Sequence, residues 1–447
     1  MNERRREYIA LAAIVGVGVV LRVVWCIVAA RPPAGLHDPL FYRALAEGVA
    51  RGNGYHFLAA PDDPTAYYPV GYPASLVPGL WLLEHTPLPD SWFTGLIAAQ
   101  NIVWQALAIV GVHVAARLVS GRAAAGLVAA AVVAWWPNLV IHTALALTES
   151  LFLALLVGAL VLSLRGPWDG SPVPATRLLA IGALVGAATL VRPVSLPLVP
   201  AFLLAHLVAR NGWRPALRHT GIVAAGALVV VTPWLVRNAV VMGEPTLSTN
   251  TGDNLCIGRR IDAPGGFEID NPRCLEGDFD DLERPEYELE RDAFGRRQAI
   301  EFVREHPGEE VRLWFRRAYQ LFRNDADGVA AVESYGDDPF LDPTDRTRLR
   351  TVSNWFYAVV GPLGVVALGA LVLRRPRLDP RAVFLALTFL GVLAPPIVFF
   401  GDPRFHVPAV PIVAIGLGAV AADVVARARR APVGSSSSEP EGPIGTA

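Results

Sequence analysis

Ten stretches of this 447-residue sequence are apolar for about the length a helix needs to cross a bilayer, and no other feature narrows its fold so far. They lie near residues 8–30, 93–118, 122–139, 143–164, 176–191, 194–210, 216–241, 353–373, 381–400 and 405–427. A hydrocarbon core of about 30 Å takes roughly 20 residues of helix. A backbone in lipid must satisfy its polar groups internally, so these stretches read as helices. Composition agrees, with 53% hydrophobic and 18% charged residues, against about one quarter charged in soluble domains. The formal net charge of −1 offers no basic surface to a nucleic acid. The fold class expected is an all-α polytopic membrane protein of about ten transmembrane helices.

Charge distribution orients the bundle. All 39 basic residues are Arg, a bias expected of a GC-rich bacterial genome. Arg4, Arg5 and Arg6 precede the first stretch, and alternate connections carry Arg122, then Arg165 and Arg177, then Arg210, Arg214 and Arg218, then Arg374, Arg375, Arg377 and Arg381. Arg427, Arg429 and Arg430 follow the last stretch. Basic residues mark the cytoplasmic connections of membrane proteins, so both termini are expected in the cytoplasm of a multi-pass protein of the bacterial inner membrane. The first apolar stretch exceeds the 7–15 residues usual for a cleaved signal peptide and reads as a retained span.

The domains follow. Residues 8–241 form an N-terminal transmembrane module, with a first outer loop over 31–92 that contains a helical segment from Pro39 to Arg51. Residues 242–352 form an extracytoplasmic loop domain holding 25 of the 40 acidic residues. Residues 353–427 supply C-terminal transmembrane helices, and 428–447, with four consecutive Ser, read as a disordered cytoplasmic tail. Within the loop domain Val311, Trp314, Phe315, Ala318 and Phe322 repeat at helical spacing, with Arg312, Arg316, Arg317 and Arg323 elsewhere around the helix, a pattern for a helix lying along the membrane surface. Cys256 and Cys274 share this outer loop, where disulfides are permitted, so a Cys256–Cys274 bridge is expected, the alternative being two free or metal-binding thiols.

Ionisable residues inside spans or at their ends are costly and mark function. Asp38, Glu149, Arg22, Arg192, Arg237 and Arg404 are the candidates. Arg192, Arg237 and Arg404 sit at extracytoplasmic ends and break the positive-inside pattern, which a phosphate at the outer surface would explain. Asp38 before Pro39 has a structural reading as the N-cap of the following helix and a functional one as a general base; His37 stands beside it. Glu149 either pairs with a span Arg for packing or orients an Arg toward substrate. Arg22 reads as snorkelling outward. The run Tyr67-Tyr68-Pro69-Val70-Gly71-Tyr72-Pro73 is either an interfacial aromatic belt or a wall for a sugar ring or lipid chain.

Taken in order, several short pieces resemble the bacterial membrane glycosyltransferases of the GT-C class, those similar to protein O-mannosyltransferases, the aminoarabinose transferase of lipid A and Rgt-type lipopolysaccharide sugar transferases. They are Asp38 with Phe41-Tyr42, Gly52-Asn53-Gly54-Tyr55, Pro64-Thr65-Ala66, Tyr68-Pro69-Val70-Gly71-Tyr72-Pro73, Thr148-Glu149-Ser150-Leu151-Phe152, Leu190-Val191-Arg192-Pro193, Pro233-Trp234-Leu235-Val236-Arg237-Asn238, Ser248 to Leu255, and Arg404-Phe405-His406-Val407-Pro408. The resemblance runs from about residue 8 to 427. It implies a GT-C-like bundle and transfer of a hexosyl or pentosyl group from a polyprenyl-phosphate sugar donor to a glycan, lipid or protein acceptor at the outer membrane surface. By the resemblance Asp38 is catalytic, and His37, Tyr42, Tyr68, Tyr72, Glu149, Arg192, Arg237, Asn238 and Arg404 are the pool of substrate contacts. Many relatives carry a second acid next to that Asp, whereas here the neighbours are His37 and Pro39. The one cofactor in view is a divalent cation, for which this position lacks the paired acid. Arg suits a departing lipid phosphate because its planar fork binds phosphate oxygens bidentately and keeps its charge. Attack in line by one base predicts inversion. The competing readings are a lipid-linked-sugar transporter or flippase, for which the inverted repeat such folds often show does not stand out between the two halves, and a glycan polymerase or ligase.

Overall fold

A computed structural model describes residues 3–57, 60–166, 168, 171–210, 212–268, 274, 277, 279, 281–374 and 378–428. The tail expected over 428–447 lies outside the described residues beyond Ala428, as do Arg375 and Arg377.

The chain opens with α1 (Glu3–Ala29), which ends before Pro32-Pro33. The first loop carries α2 (Asp38–Ala50), a two-stranded antiparallel ribbon of β1 (His56–Phe57) and β2 (Ala60–Pro64), and α3 (Gly71–Glu84). Then come α4 (Trp92–Ser120), α5 (Ala123–Ala134), α6 (Pro137–His142), α7 (Glu149–Leu164), α8 (Ala175–Val191), a 3-10 turn Pro193–Ser195, α9 (Leu198–Val208) and α10 (Trp213–Val241). The second loop holds α11 (Thr251–Ile257), α12 (Glu286–Glu305), α13 (Pro307–Phe322), α14 (Asp327–Ala331) and a 3-10 turn Ser334–Gly336. The chain closes with α15 (Pro343–Leu373), α16 (Pro380–Val398), a 3-10 segment Pro403–Ala409 and α17 (Val410–Ala428). Six described helices are long and apolar enough to span a membrane, namely α1, α4, α10, α15, α16 and Pro403–Ala428. Four shorter apolar helices fall on the remaining expected stretches.

Two departures from the apolar pattern matter for the site. The stretch near 122–139 breaks at Trp135-Trp136-Pro137, because Pro137 has no N–H to continue α5. The next, near 143–164, begins its helix only at Glu149. Arg22 sits at the break, fully buried instead of snorkelling. Its Nη1 donates to the Ala134 and Gly18 carbonyls at 2.8 and 2.9 Å, its Nη2 to Val133 at 3.2 Å and its Nε to Gln105 at 2.8 Å. The guanidinium thus takes up carbonyls that the end of α5 leaves open.

Helices approach closely where side chains are small. A β-carbon added to Gly182 of α8 would lie 2.1 Å from the Val223 carbonyl oxygen of α10, and one on Gly226 would lie 2.6 Å from Leu179 O. This is the small-residue contact by which membrane helices pack without a hydrophobic drive. At the site end of α8, a β-carbon on Gly71 would meet Leu190 O at 2.6 Å, so glycine lets the aromatic run dock beside Arg192.

The loop domain is fastened to the first loop and to itself. Glu288 of α12 accepts from Thr65 Oγ1 at 2.7 Å, Ala66 N at 2.8 Å and Arg284 at 2.6 Å, and also from Thr249 Oγ1. Cys256 and Cys274 are joined in a disulfide, with Cα atoms 5.8 Å apart. On α13, Val311, Trp314, Phe315 and Phe322 are exposed while Leu313, Arg317 and Leu321 on the opposite face are buried. Arg317 is paired with Glu310 at 2.7 Å. The apolar face therefore has no protein covering it among the described residues.

Candidate functional site

Asp38 opens α2, but it does not cap it. The N-cap is His37, with no side-chain cap bond, and Asp38 occupies the first helical position ahead of Pro39. Its carboxylate is instead free to turn toward the bundle, where Oδ2 accepts from Arg404 Nη1 at 2.7 Å and Oδ1 from the Tyr68 hydroxyl at 2.9 Å.

Arg404 arrives from the other end of the chain. Asp402 accepts from the Arg404 backbone N–H at 2.9 Å and so starts the 3-10 segment that aims its side chain. The guanidinium reaches two carboxylates: Nη1 goes to Asp38, while Nε and Nη2 face Glu149, Nε bonding Oε1 and Nη2 lying 3.5 Å from Oε2. Glu149 Oε1 also accepts from Arg192 Nη1 at 2.7 Å. Arg192 ends α8 immediately before Pro193 and lies over the Phe405 ring, 5.5 Å from its centroid. Asp38, Arg404, Glu149 and Arg192 form one network built from four widely separated parts of the sequence. Its two acids differ in access, for the Asp38 side chain is 32% exposed and the Glu149 side chain 1%.

Aromatic rings pack around the Tyr68 ring whose hydroxyl bonds Asp38. Tyr42 packs edge-on against Tyr68 and Tyr72, with centroids 5.0 and 5.1 Å apart. Burial first, and the Asp38 charge second, push the Tyr42 and Tyr68 hydroxyls well above their ordinary range, so Tyr68 stays a donor to Asp38. The buried Tyr72 hydroxyl has no hydrogen-bond partner among the described residues.

A strap from the second loop closes over the first. His37 Nε2 lies 2.9 Å from Asp337 Oδ2, Arg31 is 3.6 Å from Asp338, and the Ala34 N–H donates to Ser334 Oγ at 3.3 Å. Ser334 and Tyr335 both take left-handed φ values, 48° and 55°, which non-glycine residues seldom adopt. Glu333 anchors the strap by accepting from Arg346 Nε at 2.5 Å and Nη2 at 2.8 Å.

Beneath this layer lies a second set of groups that the sequence reading did not single out as a site. His142 Nε2 is 3.0 Å from Asp327 Oδ2, and its Nδ1 lies 4.0 Å from Glu149 Oε2. Asn138 Nδ2 donates to Asp327 at 2.7 Å and Asp325 at 2.8 Å, and Asp325 also accepts from Trp136 Nε1 at 2.6 Å and pairs with His406 at 2.9 Å. Burial pushes the Asp325 carboxyl up, against the pull of His406. Burial also opposes ionisation of Asp327, but the charge and hydrogen bond of His142 outweigh it and leave that carboxyl below its usual range. The Asp325-Ala326-Asp327 spacing was the available signal, hidden in a loop rich in acids.

Arg237 and Asn238 serve a different layer. Arg237 Nη1 donates to Thr65 O at 2.7 Å and Nη2 to Tyr55 O at 3.0 Å, while Asn238 donates to Thr246 O at 2.7 Å. They brace the first loop, and no bond links them to the Asp38 network among the described residues. As for a metal, no three His, Cys, Asp or Glu side chains among the described residues converge as a set of ligands.

No protein-family model matches the chain, and no curated protein matches it. Solved structures do. The archaeal oligosaccharyltransferase AglB from Archaeoglobus fulgidus, in complex with an inhibitory peptide and a dolichol-phosphate, aligns over 97% of this chain and 53% of its own, at 14% identity and a TM-score of 0.53. The same enzyme in complex with Zn and sulfate aligns over 94% of this chain and 50% of its own, at 15% identity and a TM-score of 0.51. The chain has the GT-C fold. It spans about half the length of the oligosaccharyltransferases it matches. ArnT from Cupriavidus metallidurans, bound to undecaprenyl phosphate, also aligns, over 94% of this chain and 81% of its own at 16% identity, but its TM-score of 0.43 is too low to bear on the fold. Within the GT-C fold, the Asp38 network lies where α2, α7, α8 and the start of the last span meet.

Proposed function

We propose that this chain is a glycosyltransferase that moves a sugar from a polyprenyl-phosphate donor to a hydroxyl of a glycan, lipid or protein acceptor at the extracytoplasmic membrane surface, with inversion. The observation that carries the reading is the unequal exposure of two carboxylates on one arginine: Asp38 is within reach of a substrate and Glu149 is sealed away. A dolichol-phosphate complex of a protein sharing the GT-C fold supports a lipid-phosphate donor.

Asp38 receives the acceptor's O–H as a hydrogen bond and takes its proton as the acceptor oxygen bonds to the anomeric carbon. On the opposite side the bond from that carbon to the phosphate oxygen breaks, and the lipid phosphate leaves with the electron pair. Tyr68 and Arg404 fix the carboxylate, so the proton acceptor is already aimed when the hydroxyl arrives. Arg192, which makes one ion pair among the described residues, is the cation left to meet the departing phosphate. A neighbour sharing the GT-C fold was solved in complex with Zn and sulfate, but here the Arg404 guanidinium lies between Asp38 and Glu149.

Purified protein incubated with radiolabelled polyprenyl-phosphate sugars tests the reading, with Asp38→Asn as control. Label passing to an acceptor in the native protein and not in the variant is the expected result. Transfer that survives the substitution unchanged removes Asp38 from the reaction.

A further inference from the structure

Two carboxylates that share one partner in a poorly solvated pocket need positive charge between them, since like charges at close range oppose each other's ionisation. A divalent ion held by the two carboxylates, with water filling its remaining positions, is one solution. The side chains present do not fit it. Arg404 reaches Asp38 with Nη1 and Glu149 with Nε and Nη2, so its planar fork fills the gap an ion would enter. Its backbone is fixed by Asp402 and its side chain is 12% exposed, so it is not a flexible visitor. Charge leaves no room either. Asp38 and Glu149 bring two negative charges, and Arg404 and Arg192 bring two positive ones. A divalent ion would leave the network with an excess of two positive charges beside buried guanidinium groups.

We infer that Arg404 is a resident cation: its guanidinium takes the place of a divalent metal between Asp38 and Glu149, and the protein works without one. Arg404 is thereby a positioning residue for Asp38, not a phosphate ligand. For activity this inference rests on the transferase reading; for metal binding it stands apart from it.

The test uses the full-length protein in detergent, stripped with a chelator, and Mn2+ followed by electron paramagnetic resonance. The native protein should bind no stoichiometric Mn2+. Arg404→Ala vacates the gap and should take up about one Mn2+ per chain, with Arg404→Ala/Glu149→Gln losing it again. Arg404→Lys keeps a charge in the gap and should bind none; thermal unfolding of each variant establishes that it is folded. Stoichiometric Mn2+ on the native protein that disappears in Asp38→Asn overturns the inference, as does a folded Arg404→Ala that binds none. In the transfer assay, EDTA should leave the native rate unchanged, whereas Mn2+ should restore part of the rate lost in Arg404→Ala, a loss of about 100-fold. A native rate abolished by EDTA and recovered with Mn2+ also overturns it. If no transfer occurs under any condition, the transferase reading fails while the binding measurements still decide on Arg404.

Discussion

Asp38 and Glu149 carry the same functional group and share Arg404, yet substitution should separate them. Asp38→Asn keeps the shape of the site and removes the proton acceptor, so kcat should fall by about 10²–10⁴ with the donor KM little changed. Glu149→Gln leaves Arg192 and Arg404 with less negative charge in a buried place, and it should lower thermal stability as well as activity, by about 3–5 kcal/mol for a broken buried pair. Arg192→Ala should slow transfer by about 10²–10³, with Arg192→Lys recovering part of it. Steady-state kinetics and unfolding in detergent distinguish these outcomes. At this scale much of the site was legible. Asp38, Glu149, Arg192 and Arg404 are rare charges in apolar surroundings, and rarity is a signal a single sequence displays. Arg237 gave the same signal for another reason, since bracing backbone carbonyls at a span end also calls for a guanidinium. His142 gave none, being a lone histidine near a proline break, and the signal of the Asp325-Ala326-Asp327 spacing was hidden among the many acids of its loop.

Elements read from apolar length were found where expected, while their interruptions were not. The expected 122–139 and 143–164 spans contain a break and a late start, and α3 formed in a region read only as aromatic and proline-rich. Hydropathy averages over such breaks, and the partner that stabilises one of them, Arg22, lies more than a hundred residues away in sequence. Arg22→Met should therefore destabilise the bundle by about 1–3 kcal/mol for each carbonyl left unsatisfied, seen as a lower unfolding midpoint. The α13 face was legible because periodicity needs no tertiary information. With Trp314 and Phe315 exposed on that face, brominated lipids in reconstituted vesicles should quench Trp314 fluorescence. No difference from water-soluble controls would place α13 off the bilayer.

Across the whole molecule, the strap over His37 joins the two loops and rests on Glu333. Hydrogen bonds from Arg346 hold that carboxyl below the usual glutamate range. A carboxyl lowered on folding contributes stability that is full above its unfolded value, near 4.3, and is lost as pH falls through the folded value. Hydrogen exchange across residues 333–341 should stay slow from pH 8 to about 5 and quicken below about 4. Orientation is a proposal at this scale too: a thiol reagent that cannot cross membranes should label single cysteines placed in 242–352 from the periplasmic side and not those near Arg4. The four-part network also has a consequence for how the chain is made. Asp38 and Glu149 leave the ribosome long before Arg404, so a half-synthesised chain carries an acid at the head of α7 without the guanidinium that bridges it to Asp38. Insertion of the last span is the event that completes the centre. A chain truncated before Pro403 would present the quality-control proteases with an unfinished membrane protein, and its rapid turnover in cells would mark assembly, not stability alone, as the step that Arg404 governs.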